Sequence, residues 1–351
     1  MPGPFVLLAA AIGMVLAGVG QGLSTRGLET DLPRVRLIAT GGTIATRPGG
    51  ARLSAEELSQ SVPDLRRYVR PEWEQFSNVA STALTIDQWL RLARRINDIF
   101  SSDSNLQGIV VTVGTDTLEE LAYFLHLTVR SPRPVVLTGS MRTPGAAGPD
   151  GPANLLSAFR TAGDPKARDQ GVLVVLNEEI NSARDVTKTD AQRLDAFQSR
   201  PRGVLGVVDA DRVLFFRGPL KRHTVQSEFD LHNVGDLPRV DILLFYQGAT
   251  SDLVRAAIEL GARGLVLAVA GADTTAGTMA EGLRYAATRR IPVVLSTRTG
   301  GGRIAAPAGD GAFAEYVAGE DLPPLKSRIL LTLALTRTHS ASEIQRIFRE
   351  Y

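Results

Sequence analysis

The chain is predicted to be an α/β protein. A larger N-terminal domain would be built on a parallel sheet of the flavodoxin or Rossmann type, with a smaller C-terminal α/β domain behind it. Two observations predict this. Short runs of aliphatic and β-branched residues recur along the 351 residues and are apolar on both faces, as strands covered by helices on each side must be. Between them lie segments whose apolar residues return at helical spacing, and strand–helix alternation is the mark of an α/β sheet. A hydrophobic content of 44% is enough for one large core or two adjoining ones.

Residues 1–30 differ from the rest. "PFVLLAAAIGMVLAGVG" is an uncharged apolar run, short for a membrane span and suited to the h-region of a secretory signal. It reads as a removed signal peptide, or else an N-terminal anchor, of a periplasmic or secreted protein. Without a signal the protein would be cytoplasmic. The folded pattern begins near Arg34. Candidate strands then follow as "VRLIAT", "GIVVTV", "PVVLTG" and "GVLVVLN". Among the helical stretches, "TIDQWLRLARRINDIF" brings Trp89, Leu92, Ile96 and Ile99 onto one face. "TLEELAYFLHLTV" opens with Thr117 and has Glu120 three residues on, the pattern of a capping box. A polar, irregular stretch near 217–238 breaks the rhythm, and alternation resumes with "VDILLFY", "GLVLAVA" and "PVVLS". The expected division is an N-terminal domain over 31–222, a linker over 223–239 and a C-terminal domain over 240–351.

Composition narrows the function. A formal charge of +2, with no long basic run, argues against nucleic-acid binding. With no cysteine there can be no disulfide or thiolate metal site. The four histidines are far apart and lack ligand spacing, so a zinc site is not expected.

Three predicted strands end alike, in "IATGGTIA", "VTVGTDTLEE" and "VLTGSMR". Ligands bind outside the carboxyl ends of parallel strands, so these loops could bring Thr43, Thr115, Asp116 and Ser140 to one crevice. One such loop is also what an ordinary strand-to-helix turn looks like, with glycine for the bend and a hydroxyl for the cap. Three on one sheet edge point to a site. No phosphate-binding Gly-x4-Gly-Lys-Ser/Thr occurs, and the first loop lacks the third glycine of a dinucleotide fingerprint. No Gly-x-Ser-x-Gly elbow occurs either. A hydroxyl nucleophile would then need a base other than histidine or cysteine. A buried lysine can serve, because desolvation and neighbouring cations lower its pKa. Lys188 in "ARDVTKTDAQRLDAF" lies between two threonines with Asp185 nearby; read alone it could equally be a solvated surface lysine.

Taken together these segments resemble the bacterial L-asparaginases of the asparaginase/glutaminase family, type II in kind, from about Arg34 to Tyr351. "TGGTIA" and "GTDTLEE" carry the likeness, supported by "DGPANL", "RDVTKT", "RHT" followed by "FDL", and "LALTRT" followed by "IQRIF". The resemblance implies hydrolysis of the side-chain amide of L-asparagine, or of L-glutamine, without a cofactor. It implies Thr43 as nucleophile, with Thr115 beside Lys188 as a proton relay. Asp116 would meet the substrate α-ammonium and Ser81 its α-carboxylate. Thr82, where many relatives have glutamine, Gly42, Gly114 and the backbone at Ser140 would line the substrate. It also implies a homotetramer whose partner is a small amino-acid substrate. Several features depart from the family, foremost that no tyrosine follows "TGGTIA" before Tyr68, where a lid tyrosine is usual. An amino-acid-binding protein with weak or no catalysis is therefore the alternative.

Overall fold

Strand β1 (Arg34–Gly41) is buried along most of its length and anchors the larger sheet. In the computed structural model, which describes residues 32–271, 278–305 and 316–351, the chain continues through α1 (Ala55–Gln60), β2 (Arg70–Val79) and α2 (Ile86–Ser102). Then come β3 (Leu106–Thr112), α3 (Leu118–Thr128), β4 (Val135–Thr138), α4 (Gly151–Gly163) and β5 (Val172–Leu176). Five short strands follow: β6 (Glu179–Ser182), β7 (Thr187–Lys188), β8 (Phe197–Gln198), β9 (Gly206–Val208) and β10 (Val213–Phe215). The remainder comprises β11 (Val240–Leu244), α5 (Asp252–Glu259), β12 (Gly264–Val269), α6 (Thr278–Thr288), β13 (Val293–Thr297), β14 (Val317–Ala318), α7 (Pro324–Ala334) and α8 (Ala341–Glu350). The apolar segment within residues 1–30 lies outside the described residues.

The larger sheet has the order β10-β9-β6-β5-β4-β3-β1-β2. Strands β2, β1, β3, β4 and β5 are mutually parallel, and β6, β9 and β10 extend the sheet antiparallel. The parallel part has the flavodoxin order, which reverses between β1 and β3. A second sheet, β11-β12-β13-β14, is wholly parallel. The α/β class is as expected, and the flavodoxin order is the one realised.

Helix α2 begins at a true capping box: Thr85 accepts from Gln88 N–H, and Gln88 accepts in return from Thr85 N–H. Its Trp89, Leu92, Ile96 and Ile99 are buried, as their spacing predicts. The capping box expected at Thr117 does not form. Thr117 sits at φ −124° and ψ 14°, away from the extended conformation that presents a hydroxyl to the first helical amides. Its hydroxyl is buried without a hydrogen-bond partner among the described residues. Glu120 instead meets Arg328 of α7 at 2.9 Å.

One buried cluster joins the two sheets. It runs from Val111 and Leu125 beside the larger sheet, through Leu330 and Leu331 of α7, to Val266 and Val294 of the smaller one. Helix α7 packs on α3 and on β11, β12 and β13, so it is buried on nearly every side. Residues 33–351 accordingly form one unit. Leu330 is fully buried in this shared core. Leu330→Ala is expected to cost about 3 kcal/mol. The loss should appear as an earlier urea midpoint in the fluorescence of Trp89, although that tryptophan lies in α2, far along the chain.

Candidate active site

The end of β1 is shaped by what cannot fit there. Gly42 has φ +88°, and a Cβ on it would lie 2.4 Å from Gly114 N and 2.5 Å from Gly114 Cα. A Cβ on Gly114 would in turn lie 2.8 Å from the Ser81 hydroxyl. Three chain segments, after β1, β2 and β3, therefore touch through glycine at the point where the strand order reverses. The end of β4 closes on the same place, since a Cβ on Gly139 would lie 2.6 Å from Val113 O and 3.4 Å from Thr115 Cγ2. Thr43, half-buried, opens the 3-10 turn Thr43–Ala45. That turn is held by the Thr46 hydroxyl donating to Gly42 O at 2.9 Å.

The other expected residues fall unevenly. Ser81 is buried against Gly114, whereas Thr82 beside it is exposed and shares none of these contacts. Ser140 is buried, and its hydroxyl donates to Arg142 O at 2.7 Å, within its own loop. Asp150 ties that loop down, accepting from the Met141 and Arg142 amides at 2.9 Å each.

Lys188 comes to the crevice from β7. Its ammonium donates to Thr115 Oγ1 at 3.0 Å and to Asp116 Oδ1 at 2.9 Å. Thr115 is buried, and the Asp116 side chain is 68% exposed. Lys188 is thus no free surface lysine; its side chain is 17% exposed. The charge the structure sets beside it is the Asp116 carboxylate.

Behind Lys188 stand residues that the sequence reading did not single out. Glu119, buried on α3, accepts from the Thr187 hydroxyl at 3.0 Å and from Lys188 N–H at 3.2 Å. Lys326 of α7 is fully buried and donates to Arg184 O at 2.7 Å and to Val186 O. Arg184 grips Asp321 with two bonds of 3.0 and 2.8 Å. Despite burial, that guanidinium holds the Asp321 carboxyl far below the usual carboxylate range. The available signal was a charged residue inside an otherwise apolar helix stripe, as at Lys326 in "PLKSRILLTLA".

Residues 46–52 form a tight hairpin, bridged at Thr46 and Arg52, with Arg47 N–H donating to Ala51 O at 2.7 Å. Pro48 at its tip meets Gly145 of the loop before α4. Tyr68, the first tyrosine after this hairpin, packs against the core beside α1 and α4, with the Arg160 guanidinium 4.9 Å from its ring. Among the described residues, no group of three or more His, Cys, Asp and Glu side chains could hold a metal ion.

Comparison with known proteins matches both halves of the chain to one family. Residues 34–221 match the family model described as asparaginase, N-terminal, and residues 239–348 match the glutaminase/asparaginase C-terminal domain. The chain is 43% identical over 332 residues to L-asparaginase 2 of Bacillus subtilis, covering 92% of this chain and 88% of that one. It is 37% identical to a glutaminase-asparaginase of Pseudomonas fluorescens, covering 92% of each. A crystal structure of a probable cytoplasmic L-asparaginase from Campylobacter jejuni superposes with a TM-score of 0.86 at 37% identity, covering 91% of this chain and all of the other.

Two outcomes test the packing described. Gly42→Ala places a Cβ against backbone at a left-handed φ and should cost more than about 2 kcal/mol in urea unfolding. Gly49→Ala also has positive φ, at +84°, but nothing lies within 4 Å, and it should cost about 1 kcal/mol. The second outcome concerns Lys326, which burial pushes down from 10.5 to about 8. Between those values the unfolded chain binds a proton that the folded chain does not, so this group makes stability rise with pH there. The difference in unfolding free energy between wild type and Lys326→Met should therefore grow from pH 8 to pH 10.

Proposed function

The chain belongs to the asparaginase family, and from that membership we propose that it hydrolyses the side-chain amide of L-asparagine to aspartate and ammonia, with L-glutamine a poorer substrate. One observation carries the mechanistic reading. The Lys188 ammonium stands between the buried Thr115 hydroxyl and the exposed Asp116 carboxylate, at the reversal point of the sheet.

In this mechanism the Thr43 hydroxyl attacks the amide carbon. Its proton passes through the Thr115–Lys188 pair to the amide nitrogen. Ammonia leaves, and a β-aspartyl ester of Thr43 remains. Water then cleaves that ester, restoring the hydroxyl and releasing aspartate. The negative charge that develops on the amide oxygen needs donors fixed in advance, and backbone N–H groups beside Gly42 and Gly114 can supply them. The loss of one such donor typically costs about 3 kcal/mol in the barrier. Asp116 receives the substrate α-ammonium, and in doing so shifts its hold from Lys188 to the ligand. Ser81 faces the α-carboxylate, and the backbone at Ser140 lies beside the amide.

A second reading has one observation in its favour. The hairpin over 46–52 carries no tyrosine, and Tyr68 is committed to the core under Arg160. A protein that binds the amino acid and turns it over weakly, or not at all, would look the same. The apolar run within residues 1–30 supports export to the periplasm or medium, and we place the protein there. Among the described residues no helix is long and apolar enough to cross a membrane. The family resemblance supports a homotetramer, and sedimentation of a monodisperse monomer would contradict it.

Ammonia release decides between the readings. Wild type should release ammonia from L-asparagine faster than from L-glutamine. Thr115→Val and Lys188→Met should each lower kcat by about 10²- to 10⁴-fold, the usual worth of a placed proton carrier. Asp116→Ala should act mainly on KM. Binding of aspartate in calorimetry without ammonia release would establish the binding protein, and activity surviving Thr43→Ala together with Thr115→Val would overturn the mechanism.

A further inference from the structure

The segment that carries Lys188 has little structure of its own. Strand β7 is two residues long and, among the described residues, pairs only with the equally short β8. A lysine side chain is long and rich in rotamers, and the exposed Asp116 carboxylate competes with Thr115 for its ammonium. Something beyond strand pairing must fix where Lys188 points. Two buried charges do so from opposite helices. From α3, one oxygen of Glu119 takes the Thr187 hydroxyl at 3.0 Å and the Lys188 amide at 3.2 Å. From α7, the Lys326 ammonium takes the carbonyls of Arg184 at 2.7 Å and of Val186. Residues 184–188 are thereby pinned on both sides within five positions.

Burying these charges is costly unless each is compensated. Glu119 is 5% exposed and Lys326 is 0% exposed. The second oxygen of Glu119 is buried with no hydrogen-bond partner among the described residues. Burial pushes the Lys326 ammonium toward its neutral form, and the Glu119 carboxylate opposes that by favouring the charged form. The Glu120–Arg328 pair, one residue on in α3 and two in α7, clamps the same helices together at 2.9 Å. An apolar pair would pack these helices as well, but it would offer nothing to the backbone of residues 184–188.

We propose that Glu119 and Lys326 are positioning residues for the reaction, which hold the 184–188 segment so that the Lys188 ammonium rests on Thr115. They touch no substrate and act only through that contact. The inference rests on the amidohydrolase reading above. An active site that is about 1 Å out of place loses on the order of a hundredfold in rate.

The test compares kcat and KM for L-asparagine in full-length wild type, Glu119→Gln, Glu119→Leu and Thr187→Val, each also combined with Thr115→Val. Folding is checked by circular dichroism. Glu119→Gln keeps an acceptor oxygen for Thr187 and Lys188 and should stay within about fivefold of wild-type kcat. Glu119→Leu removes it and should lower kcat about a hundredfold with KM within threefold. In the Thr115→Val background, Glu119→Leu should cost less than twofold more, because the contact it serves is already gone. If Glu119→Leu does not fold, Thr187→Val carries the same comparison: a kcat loss of about tenfold alone and none on Thr115→Val. Undiminished kcat in both variants, or equal losses with and without Thr115, would overturn the proposal. A wild type that releases no ammonia would overturn the amidohydrolase reading instead, before any variant is compared.

Discussion

The backbone contact between Gly42 and Gly114 is the constraint on which the rest of the site depends. In a flavodoxin-ordered sheet the loops after β1 and β3 depart to opposite faces and leave a crevice between them. Here they are pressed together at their roots, with Ser81 seated on the far side of Gly114. No side chain can be added at Gly42 without meeting backbone. This closeness sets the start of the Thr43 turn and the Thr115 hydroxyl on neighbouring strand ends. The crevice follows from the topology, and its narrowness follows from two missing side chains.

The other half of the proposed chemistry would arrive from a different part of the fold. Lys188 comes from β7, in the short-stranded stretch that follows the parallel run. That stretch lacks the length to place a side chain by itself, and it borrows rigidity from α3 and α7. Helix α7 belongs to the smaller sheet yet lies in the core shared with the larger one. The C-terminal half thus bears on the proposed site through packing and through the Lys326 bonds to residues 184 and 186. A substrate amide would sit in a crevice of the first sheet whose proton carrier is held in place from the second.

Much of this was legible in the sequence, and the failures have physical causes. Strands such as "VRLIAT" and "GLVLAVA" are covered on both sides and wrote themselves as continuous apolar runs. Strand β2 did not. It is the edge of the sheet, and "RPEWEQFSNV" has the charged, half-exposed composition that blunts an edge; Glu72 there pairs with Arg34 and Arg36 of β1. That the loops of Thr43, Thr115 and Asp116 lie together was readable because similar glycine-and-threonine punctuation recurs at several strand ends of one sheet edge. Lys188 was readable only through its motif. Glu119 and Lys326 were missed because charged residues are mostly exposed, and the one available sign was the place of Lys326 in an apolar helix stripe. Thr117 and Glu120 matched a local capping pattern, and tertiary contacts overrode it: Glu120 found Arg328 instead.

The account stands on covalent chemistry at the strand end that Gly42 shapes. Its most direct test is mass spectrometry of full-length enzyme mixed with L-asparagine and quenched in acid within milliseconds, followed by peptide mapping. The expected result is a β-aspartyl ester on the peptide containing Thr43 in wild type, formed more slowly in Lys188→Met and absent from Thr43→Ala. An ester on Thr115 in place of Thr43, or turnover with no ester on either threonine, would contradict it.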